Sequence, residues 1–367
     1  MTSPVAITGI GCVSPAGIGG RDAALALVKG PPENHGFRVP EFPLEDFLEN
    51  ARSFRRVAHS TKFCLAAVAL ALRDAGLEAG RTDGSRTGLV IGVTHGALAF
   101  STQFHGGLLR DGPEAASPML FAESVLNAAG GNVAIAFGVR GPVHTLIGEE
   151  TVGAQAIGAA MELLRLGVVD RCVVAGTEER SAVIENAYRQ MDRAASRSAP
   201  EEESPPPAGE GAAAFVIEHP AAAVRRGARF FVPVLSARCS RAGREEMDDS
   251  VAMVVKEELA SLGKRGEEIR HVHVVVPTGR NRGPVTRGAL RALGLREGGT
   301  PRLDIAPRVG NAFCAAAFLQ ASVSAALLSA GGAPGAGLIL ASGISKTFSV
   351  LLLGGGSPEG RTDFPGG

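Results

Sequence analysis

The stretch of residues 141–158 constrains the fold of this chain more than any other. It predicts a short apolar strand over residues 143–147, a sharp turn, and a helix of small residues that continues to about Gly167. A turn of this kind lifts one side chain to the start of a helix, where free backbone N–H groups favour negative charge. Enzymes place nucleophiles at such turns. Here the position carries Glu150, preceded by Glu149, and neither Ser nor Cys is near it in the sequence.

The composition favours a layered α/β protein and argues against nucleic-acid binding. The 367 residues suffice for two core-forming units or one large domain. They include 49 Gly, no Trp and a single tyrosine, Tyr188, and small residues let helices and strands approach closely. Because 37 basic residues balance 37 acidic ones, the chain lacks the long-range field that binders of nucleic acids or anionic membranes use.

The cysteine pattern predicts buried free thiols rather than disulfides. The five cysteines form no C-x-x-C pair and no signal-peptide pattern begins the chain, so we expect a reducing, cytoplasmic setting. His271 and His273 share one face of a predicted strand, but no Cys or carboxylate completes a metal-ligand pattern. We therefore expect no metal, no cofactor and, since no apolar run reaches ~18 residues uninterrupted, no membrane span.

Strands and helices alternate along the chain, and they do so in two comparable halves, which predicts two βαβ-rich sheets packed together. The halves are residues 1–218 and 219–355, followed by a flexible tail, 356–367. Residues 113–119 are predicted to be a loop, and residues 194–207 an exposed, acidic, low-complexity loop. The predicted strands are 5–11, 88–93, 143–147, 171–176, 212–218, 230–236, 271–276, 337–341 and 348–353.

Several of these segments, taken in order, resemble the β-ketoacyl synthases of the thiolase superfamily. The resemblance implies a five-layered α-β-α-β-α fold and a dimer whose interface lies beside the elbow, the turn that carries Glu150. It spans nearly the whole chain. The segments that carry it are residues 5–17, the Ala-rich helix 66–76, the Arg-Gly-Pro-led stretch 140–158, the Gly-Glu-Gly-Ala segment 209–212, residues 225–228 and residues 308–319.

The resemblance also implies where catalytic residues should be, and the chain departs from the family at each place. A working synthase carries a Cys at the elbow and two His residues in the second half; here these positions are Glu150, Pro277 and Asn311. The Lys that accompanies the second His is replaced by Ala306. The family's Gly-Phe-Gly-Gly-Thr-Asn loop is replaced by residues 343–348.

These replacements predict that the chain cannot catalyse condensation by itself. A carboxylate cannot hold an acyl chain as a cysteine thioester does. Proline has no side-chain donor, and Asn cannot exchange a proton near neutral pH. His273 lies four residues before Pro277, within the strand, and cannot replace the missing histidine without displacing the motif.

The combination resembles the chain-length factors, which are inactive partners of type II polyketide ketosynthases and typically carry Gln at the elbow. Glu150 is nearly isosteric with Gln. The resemblance implies a subunit of polyketide or fatty-acid-like biosynthesis that dimerises with an active ketosynthase, bounds its acyl tunnel and contacts an acyl carrier protein. The interface or pocket candidates are His144, Glu149, Thr151, Ile344 and Ser345.

Other readings of Glu150 stay open at the level of sequence. It could act as a general base or acid on an acyl thioester, in a hydrolase, dehydratase or decarboxylase. The chain could also be a homodimeric scaffold that binds an acyl thioester without reacting it. A structural reading is a helix-start carboxylate held by backbone N–H groups and a basic partner. For His95 and His144 a chemical role is the minor alternative, and Cys314 is expected to serve packing.

Overall fold

The strands of the protein form one hydrogen-bonded path in two halves. A computed structural model describes residues 5–29, 36–77, 83–196, 206–228, 232–243, 246–275, 279–295, 302–330 and 335–355; the side chains of 192–196 and 279–282 are not described. The strands in that part of the chain are β1 (Val5–Ser14), β2 (Gly17–Gly19), β3 (Thr87–Val93), β4 (Val143–Ile147), β5 (Arg171–Glu178), β6 (Gly211–Glu218), β7 (Val232–Arg241), β8 (Ile269–Val275), β9 (Arg302–Leu303), β10 (Ala336–Ser342) and β11 (Thr347–Gly354).

The helices cover both faces of this path. Within the described residues they are α1 (Arg21–Ala26), α2 (His59–Asp74), α3 (Leu98–Asp111), α4 (Pro118–Ser124), α5 (Ala128–Phe137), α6 (Val152–Arg165), α7 (Ala182–Ser196), α8 (Pro220–Arg225), α9 (Met247–Ser261), α10 (Gly279–Leu293), α11 (Ala306–Val309) and α12 (Phe313–Ala330).

In the described residues, each half contributes five strands to the path, in the same kind of order. The first half runs β4-β3-β5-β6-β1, with β2 paired to β1, and the second runs β7-β11-β10-β8-β9. A short antiparallel pairing of β1 with β7 joins them, from Val5 opposite Val234 to Ile7 opposite Val232. The two predicted sheets are therefore connected by hydrogen bonds rather than only packed together.

Helices α6 and α12 form the central layer between the halves. Helix α12 contacts β5 and β6 on one side and β8 and β10 on the other, and α6 contacts β3, β5 and β7. Helices α2 and α5 cover the outer face of the first half, and α9 and α10 cover that of the second. This arrangement is the predicted α-β-α-β-α layering.

The central layer explains the use of glycine and the composition of α12. Any Cβ on Gly176 would overlap the ring of Phe318, and one on Gly92 would lie 2.7 Å from Val152. Glycine at these two positions thus lets α12 and α6 approach the strands. Helix α12 is long and apolar enough to cross a membrane, but 83% of that window is buried inside the fold, as expected of a core helix.

Some element predictions need correction. The loop predicted over 113–119 contains the start of α4, where Pro118 occupies the first turn and the Ser117 hydroxyl accepts the N–H of Leu120 at 3.3 Å. Strand β7 extends five residues beyond the predicted end. The tail 356–367 and residues 197–205 of the predicted acidic loop lie outside the described residues, and the division at 218/219 stays a prediction.

Candidate functional site at the elbow

Three parallel strands end at one edge of the sheet and bring the site together. Strand β3 pairs in parallel with β4 on one side and with β5 on the other. Their carboxyl ends are therefore neighbours, as at the ligand-binding edge of open α/β sheets. The residues that follow β3 include His95, the turn after β4 carries Glu149 and Glu150, and Glu178 ends β5. The elbow lies where the sequence predicts it.

Glu150 is a buried carboxyl group that favours its neutral form. Its side chain is 2% exposed, and its Oε1 has no hydrogen-bond partner in the described part of the chain. Burial raises its pKa to about 8, and the negative charges of Glu149 and Glu178 add to the shift; a hydrogen bond from its own backbone N–H opposes it. At neutral pH Glu150 is thus mainly a protonated acid, with a hydrogen to donate.

The structural reading of Glu150, a helix-start carboxylate held by backbone N–H groups and a basic partner, stays a prediction. Helix α6 begins without any side-chain cap, and Thr151 in its N-cap position has helical backbone angles. Within the described residues, the charges that raise the pKa of Glu150 are the carboxylates of Glu149 and Glu178. Burial raises this pKa more than the hydrogen bond from the residue's own N–H lowers it.

Glu178 accepts hydrogen bonds from three different residues of the site. It is fully buried and accepts hydrogen bonds from the backbone N–H of Thr94 and from that of His95, at 3.2 Å in the latter case. The Sγ of Cys314 donates to its Oε1 at 3.3 Å. Glu178 thereby joins the loop after β3 to the start of α12.

Cys314 is a buried thiol that is hydrogen-bonded within the site. Its Sγ lies 3.3 Å from the carbonyl oxygen of Gly92 and the same distance from Glu178 Oε1. Burial raises the pKa of this thiol well above its ordinary value, and the charge of Glu178 raises it further. Since the thiolate is the reactive form, Cys314 stays an unreactive thiol. Its predicted packing role is extended by these hydrogen bonds.

An aromatic cluster borders the same site. The His95 ring lies 4.5 Å from the Phe313 ring and 5.8 Å from the Tyr188 ring, and Tyr188 lies 5.0 Å from Phe313. His95 Nδ1 is 3.7 Å from Glu178 Oε2 and has no hydrogen-bond partner among the described residues. Tyr188 of α7 thus packs against the loop after β3, whose backbone N–H groups donate hydrogen bonds to Glu178.

Asn311, where the resemblance predicts the family's second histidine, caps the turn into α12. Its side-chain Oδ1 accepts the N–H of Phe313 at 3.0 Å, and Phe313 has a positive φ of 51°. Its backbone N–H donates to Pro207 and its carbonyl accepts the N–H of Gly209, both at 2.8 Å. The residue is therefore held on both sides of the turn into α12. Pro277, the first histidine position, lies outside the described residues.

Glu149 ties the elbow to the 343–347 turn, which connects β10 and β11. Its carboxylate accepts hydrogen bonds from the N–H of Ser345 at 3.2 Å, the hydroxyl of Ser345 at 2.7 Å and the hydroxyl of Thr347 at 3.0 Å. Ile344 on this turn is 47% exposed. Two of the predicted pocket residues, Glu149 and Ser345, are therefore brought together.

The other candidates lie apart from this cluster. His144 is exposed on β4. Thr151 is buried, and its carbonyl oxygen lies 3.8 Å from Cys239 Sγ. His271 lies beneath the central layer, where its Nε2 is 2.8 Å from the Ser324 hydroxyl. The described residues contain no group of three or more His, Cys, Asp or Glu side chains that could hold a metal ion.

Sequence reasoning missed Glu178 and Tyr188. The signal for Glu178 is the pair Glu178-Glu179 at the end of a buried apolar strand, because acidic residues at the carboxyl end of a parallel strand lie at the functional edge of such sheets. Tyr188 lies on α7, and no local sequence pattern indicates which side chains it contacts.

The comparisons with known proteins agree with this geometry. The model of the β-ketoacyl synthase N-terminal domain matches residues 38–223, just over half of the chain. A 3-oxoacyl-(acyl-carrier-protein) synthase 2 of Vibrio cholerae is 26% identical over 330 residues, which cover 82% of this chain and 79% of the relative. The enzyme of the same name from Rhizobium meliloti is 32% identical over 266 residues, 63% of this chain and 62% of the relative.

Solved structures show the same fold. The ishigamide ketosynthase/chain length factor superposes with a TM-score of 0.77 at 24% identity, covering 95% of this chain and 99% of that chain. A type II polyketide synthase acyl carrier protein in complex with its ketosynthase bound to the hexaketide gives 0.77 at 18% identity, covering 97% and 100%. At such identities the likeness shows the thiolase-type fold alone. Together with the family match, it establishes that the chain belongs to the β-ketoacyl synthase family.

Proposed function

We propose that this protein is a catalytically silent β-ketoacyl synthase-like subunit, similar to a chain-length factor. It dimerises with an active ketosynthase, bounds that enzyme's acyl tunnel and contacts an acyl carrier protein. Two of the structural neighbours support this proposal. One is a ketosynthase/chain length factor, which supports a ketosynthase partner. The other is an acyl carrier protein in complex with its ketosynthase, which supports contact with a carrier protein.

The state of Glu150 is the observation that carries the proposal. A condensing enzyme needs a thiolate at the elbow to accept the acyl chain. Here the position holds a buried carboxyl group whose pKa is raised to about 8 by burial. The thiol of Cys314, which contacts this region, is held by Glu178 and Gly92, and its raised pKa favours the protonated form.

The outer edge of the first half supports a dimer. Strand β4 lies at the end of the strand path and exposes Val143 and Ile147 by 40% and 57%. Helix α3, on the same side of the elbow in sequence, has no buried residue over its 14 residues. Exposed apolar side chains on an edge strand favour pairing with another chain.

Co-expression tests the proposal directly. The tagged chain is produced together with a ketosynthase that carries the Cys-His-His set and is encoded beside it. We expect a 1:1 complex after affinity and size-exclusion chromatography, with condensation activity only when the partner's Cys is intact. The control is the same pair with Glu150→Ala in this chain, which should still condense. A stable homodimer that joins no such ketosynthase would contradict the proposal.

A second candidate function is an enzyme that uses Glu150 as general acid or base on an acyl thioester. The buried, protonated and unpartnered carboxyl group favours it, since acids at active sites are often tuned towards neutral pH by burial. If this candidate function is correct, the chain alone should turn over a carrier- or CoA-bound acyl substrate, and Glu150→Ala should abolish that turnover. Tight acyl-thioester binding by a lone homodimer, without turnover, would instead indicate the scaffold alternative.

A further inference from the structure

Residues 98–124 form an arm that the hydrophobic core does not hold. The arm contains α3 and α4, and the structure describes all of its residues. Its two helices contact each other, with the rings of Phe104 and Phe121 5.5 Å apart. Glu123 is the only residue of the arm that is buried. Because no apolar side chain of the arm is buried, the hydrophobic effect contributes little to its attachment.

The arm is connected to the rest of the fold at two adjacent points. Gly96 precedes α3 and has a positive φ of 64°, and Leu126 follows α4. A Cβ added to Gly96 would lie 2.8 Å from Leu126 Cδ2, so the two connections lie side by side. Neighbouring connections of this kind can act as one hinge, because a few loop residues absorb the change in backbone angles.

Two buried carboxylates attach the arm to the start of α2, a helix that has no side-chain cap of its own. Glu179 follows β5; its Oε1 accepts the backbone N–H of Ala99 in α3 at 3.0 Å, and its Oε2 accepts that of Ser60 in α2 at 3.1 Å. Glu123 of α4 accepts the backbone N–H of Ala58 at 3.1 Å. Both carboxylates thus lie at a helix start, where free N–H groups favour negative charge.

Glu179 fixes the position of α3 with a single side chain. Among the described residues, its contact with Ala99 is the only side-chain hydrogen bond between α3 and the part of the fold outside the arm. Glu179 is 2% exposed, and hydrogen bonds to a buried charged acceptor are stronger than those between neutral groups. Loss of this one contact should therefore release the start of the arm.

From these contacts we propose that residues 98–124 are a hinged arm, that Glu179 and Glu123 attach it to the start of α2, and that it binds the partner ketosynthase from this attached position. Glu179 is in this view a positioning residue of the interface. Helix α4 contacts α5, and α5 contacts β4, so the arm is continuous with the β4 edge. Its side chains Leu109 and Phe121 are 87% and 54% exposed, and attachment holds them in place for a partner to cover.

This inference rests on the proposed function in one respect, namely that a ketosynthase covers the β4 edge. The two can fail separately, because the attachment of the arm is measured on the isolated chain. Absence of any complex with a ketosynthase would overturn the silent-partner proposal and leave the exchange measurement on the arm decisive. An arm that is not held by the two carboxylates would overturn the inference and leave the complex intact.

Removal of one N–H group from the arm tests its attachment. Ala99 lies in the first turn of α3 with an exposed side chain, where proline is tolerated. Ala99→Pro therefore removes the donor to Glu179 and still allows the helix to form. Because a detached helix of this length is marginal in water, we expect about tenfold faster hydrogen exchange of residues 100–111 and unchanged exchange in α6. Ala99→Ser keeps the N–H group and is the matched control, which should exchange as the unaltered chain does.

The rates of binding to the ketosynthase give a second readout. A released arm is in its binding position for a smaller fraction of the time, and the apparent affinity falls by that fraction. We expect Ala99→Pro to associate with the purified ketosynthase about tenfold more slowly and to dissociate within about threefold of the rate of the unaltered chain, because the contacts in the complex are the same. A variant that removes a contact of the interface would instead dissociate faster.

Changes at the carboxylates test the same attachment from the other side. An amide NH2 cannot accept a hydrogen bond from a backbone N–H, so Glu179→Gln and Glu123→Gln should each accelerate exchange in the arm. Glu218→Gln is the matched control, since Glu218 is a buried carboxylate that accepts the hydroxyl of Thr8 at 2.8 Å and contacts no residue of the arm by a hydrogen bond. Its arm should exchange as that of the unaltered chain does.

Three outcomes would overturn the inference. They are unchanged exchange of the arm in Ala99→Pro and Glu179→Gln, equal acceleration in the arm and in α6, and faster exchange of the arm with an unchanged rate of association. The second outcome would indicate general destabilisation, and the third that the partner does not use the attached position. Folding of each variant is checked by its circular dichroism spectrum, and Ala99→Pro, at an exposed position, keeps the test valid where a buried Glu→Gln variant does not fold.

Discussion

At the scale of single residues, the environment of Glu150 decides its chemistry more than its type does. A carboxyl group at a helix start would normally be charged and stabilised by free N–H groups. Here burial and two neighbouring carboxylates outweigh that effect and raise its pKa to about 8. The elbow of this chain therefore carries a buried carboxyl group whose raised pKa favours the neutral form, which can donate a hydrogen bond.

The cost of burying Glu150 should be measurable as a pH-dependent gain on its replacement by Gln. Its pKa is raised in the folded state, so its contribution to stability is fully present below the unfolded value of 4.5 and is lost as the pH rises towards 8. We expect Glu150→Gln to raise the free energy of unfolding by about 3 kcal/mol at pH 7 and by about 1 kcal/mol or less at pH 5. Urea unfolding at both pH values measures this. The exposed Glu41→Gln is the control, and a gain independent of pH would contradict the interpretation.

The buried histidines of β8 should lower the stability of the protein as the pH falls, whereas Glu150 lowers it as the pH rises. Burial lowers the pKa of His271 to about 4, helped by the charge of Arg270, and lowers that of His273 well below 6.5. The unfolded state therefore takes up protons first, and stability is lost as the pH falls from 6.5 towards 4. In a Glu150→Gln background, which removes the titration of Glu150, His273→Leu should reduce the stability lost between pH 6.5 and 4.5. Urea unfolding at the two pH values checks it, and the exposed His105→Leu should leave the loss unchanged.

At the scale of elements, one side chain joins turns from the two halves. Glu149 follows β4, and its carboxylate accepts three hydrogen bonds from the 343–347 turn between β10 and β11. Gly343 allows this approach, because any side chain there would overlap the carboxylate. The turn at residues 343–347, where the resemblance predicts that the family's glycine loop is replaced, is thus hydrogen-bonded to the elbow.

Loss of the Glu149 carboxylate should free that turn without unfolding the protein. Hydrogen bonds to a charged acceptor contribute about 1.5–3 kcal/mol when buried, and this turn is partly exposed, so we expect Glu149→Ala to cost about 1–2 kcal/mol. Hydrogen exchange of residues 343–347 should become about tenfold faster. Glu149→Gln, which keeps one acceptor oxygen, should show a smaller change. An unchanged exchange rate in Glu149→Ala would show that the turn is held by other contacts.

The packing of α12 against β5 gives a second prediction at this scale. Gly176 faces the ring of Phe318, which is fully buried and stacks on Phe215 with centroids 6.2 Å apart. Gly176→Ala should cost about 1–3 kcal/mol through overpacking. Phe318→Leu in the same chain should recover part of this loss, so a double-mutant cycle in urea should show favourable coupling. Gly131→Ala, on an open face of α5, should be neutral or slightly stabilising.

The sequence predicts the helices and strands better than the tertiary contacts between them. Strands such as β3 and β5 follow from apolar runs, and the elbow follows from a strand, a turn and small residues. The start of α4 was missed although Ser117-Pro118 is a recognisable cap. The cluster around Glu178 could not be predicted, because it is assembled from β3, β5 and α12, which lie far apart in the chain.

At the scale of the whole molecule, the two halves differ in what they leave uncovered. The second half ends at the two-residue strand β9. The first half ends at β4, whose residues are exposed or half-buried, with α3 beside it in sequence and free of buried residues. Exposed Leu109, Phe121 and Ile135 belong to the same stretch of chain. An apolar edge of this extent in a folded chain is a liability unless another chain covers it.

A charge placed on this edge should separate the complex and leave the fold intact. Ile147 is 57% exposed at the end of β4, so Ile147→Glu should change the free energy of unfolding by less than about 0.5 kcal/mol. In the complex with a ketosynthase the same carboxylate would be buried without a partner, which costs several kcal/mol. We therefore expect at least a hundredfold loss of affinity in a titration of the purified subunits.

Leu166→Glu is the matched control for the charge at Ile147. Leu166 is 69% exposed at the other end of α6, and the Leu166→Glu variant should bind the ketosynthase as the unaltered chain does. Equal loss in both variants would mean that general charge matters and not this edge. Full binding by Ile147→Glu would place the interface elsewhere and remove the structural support for a dimer built on β4.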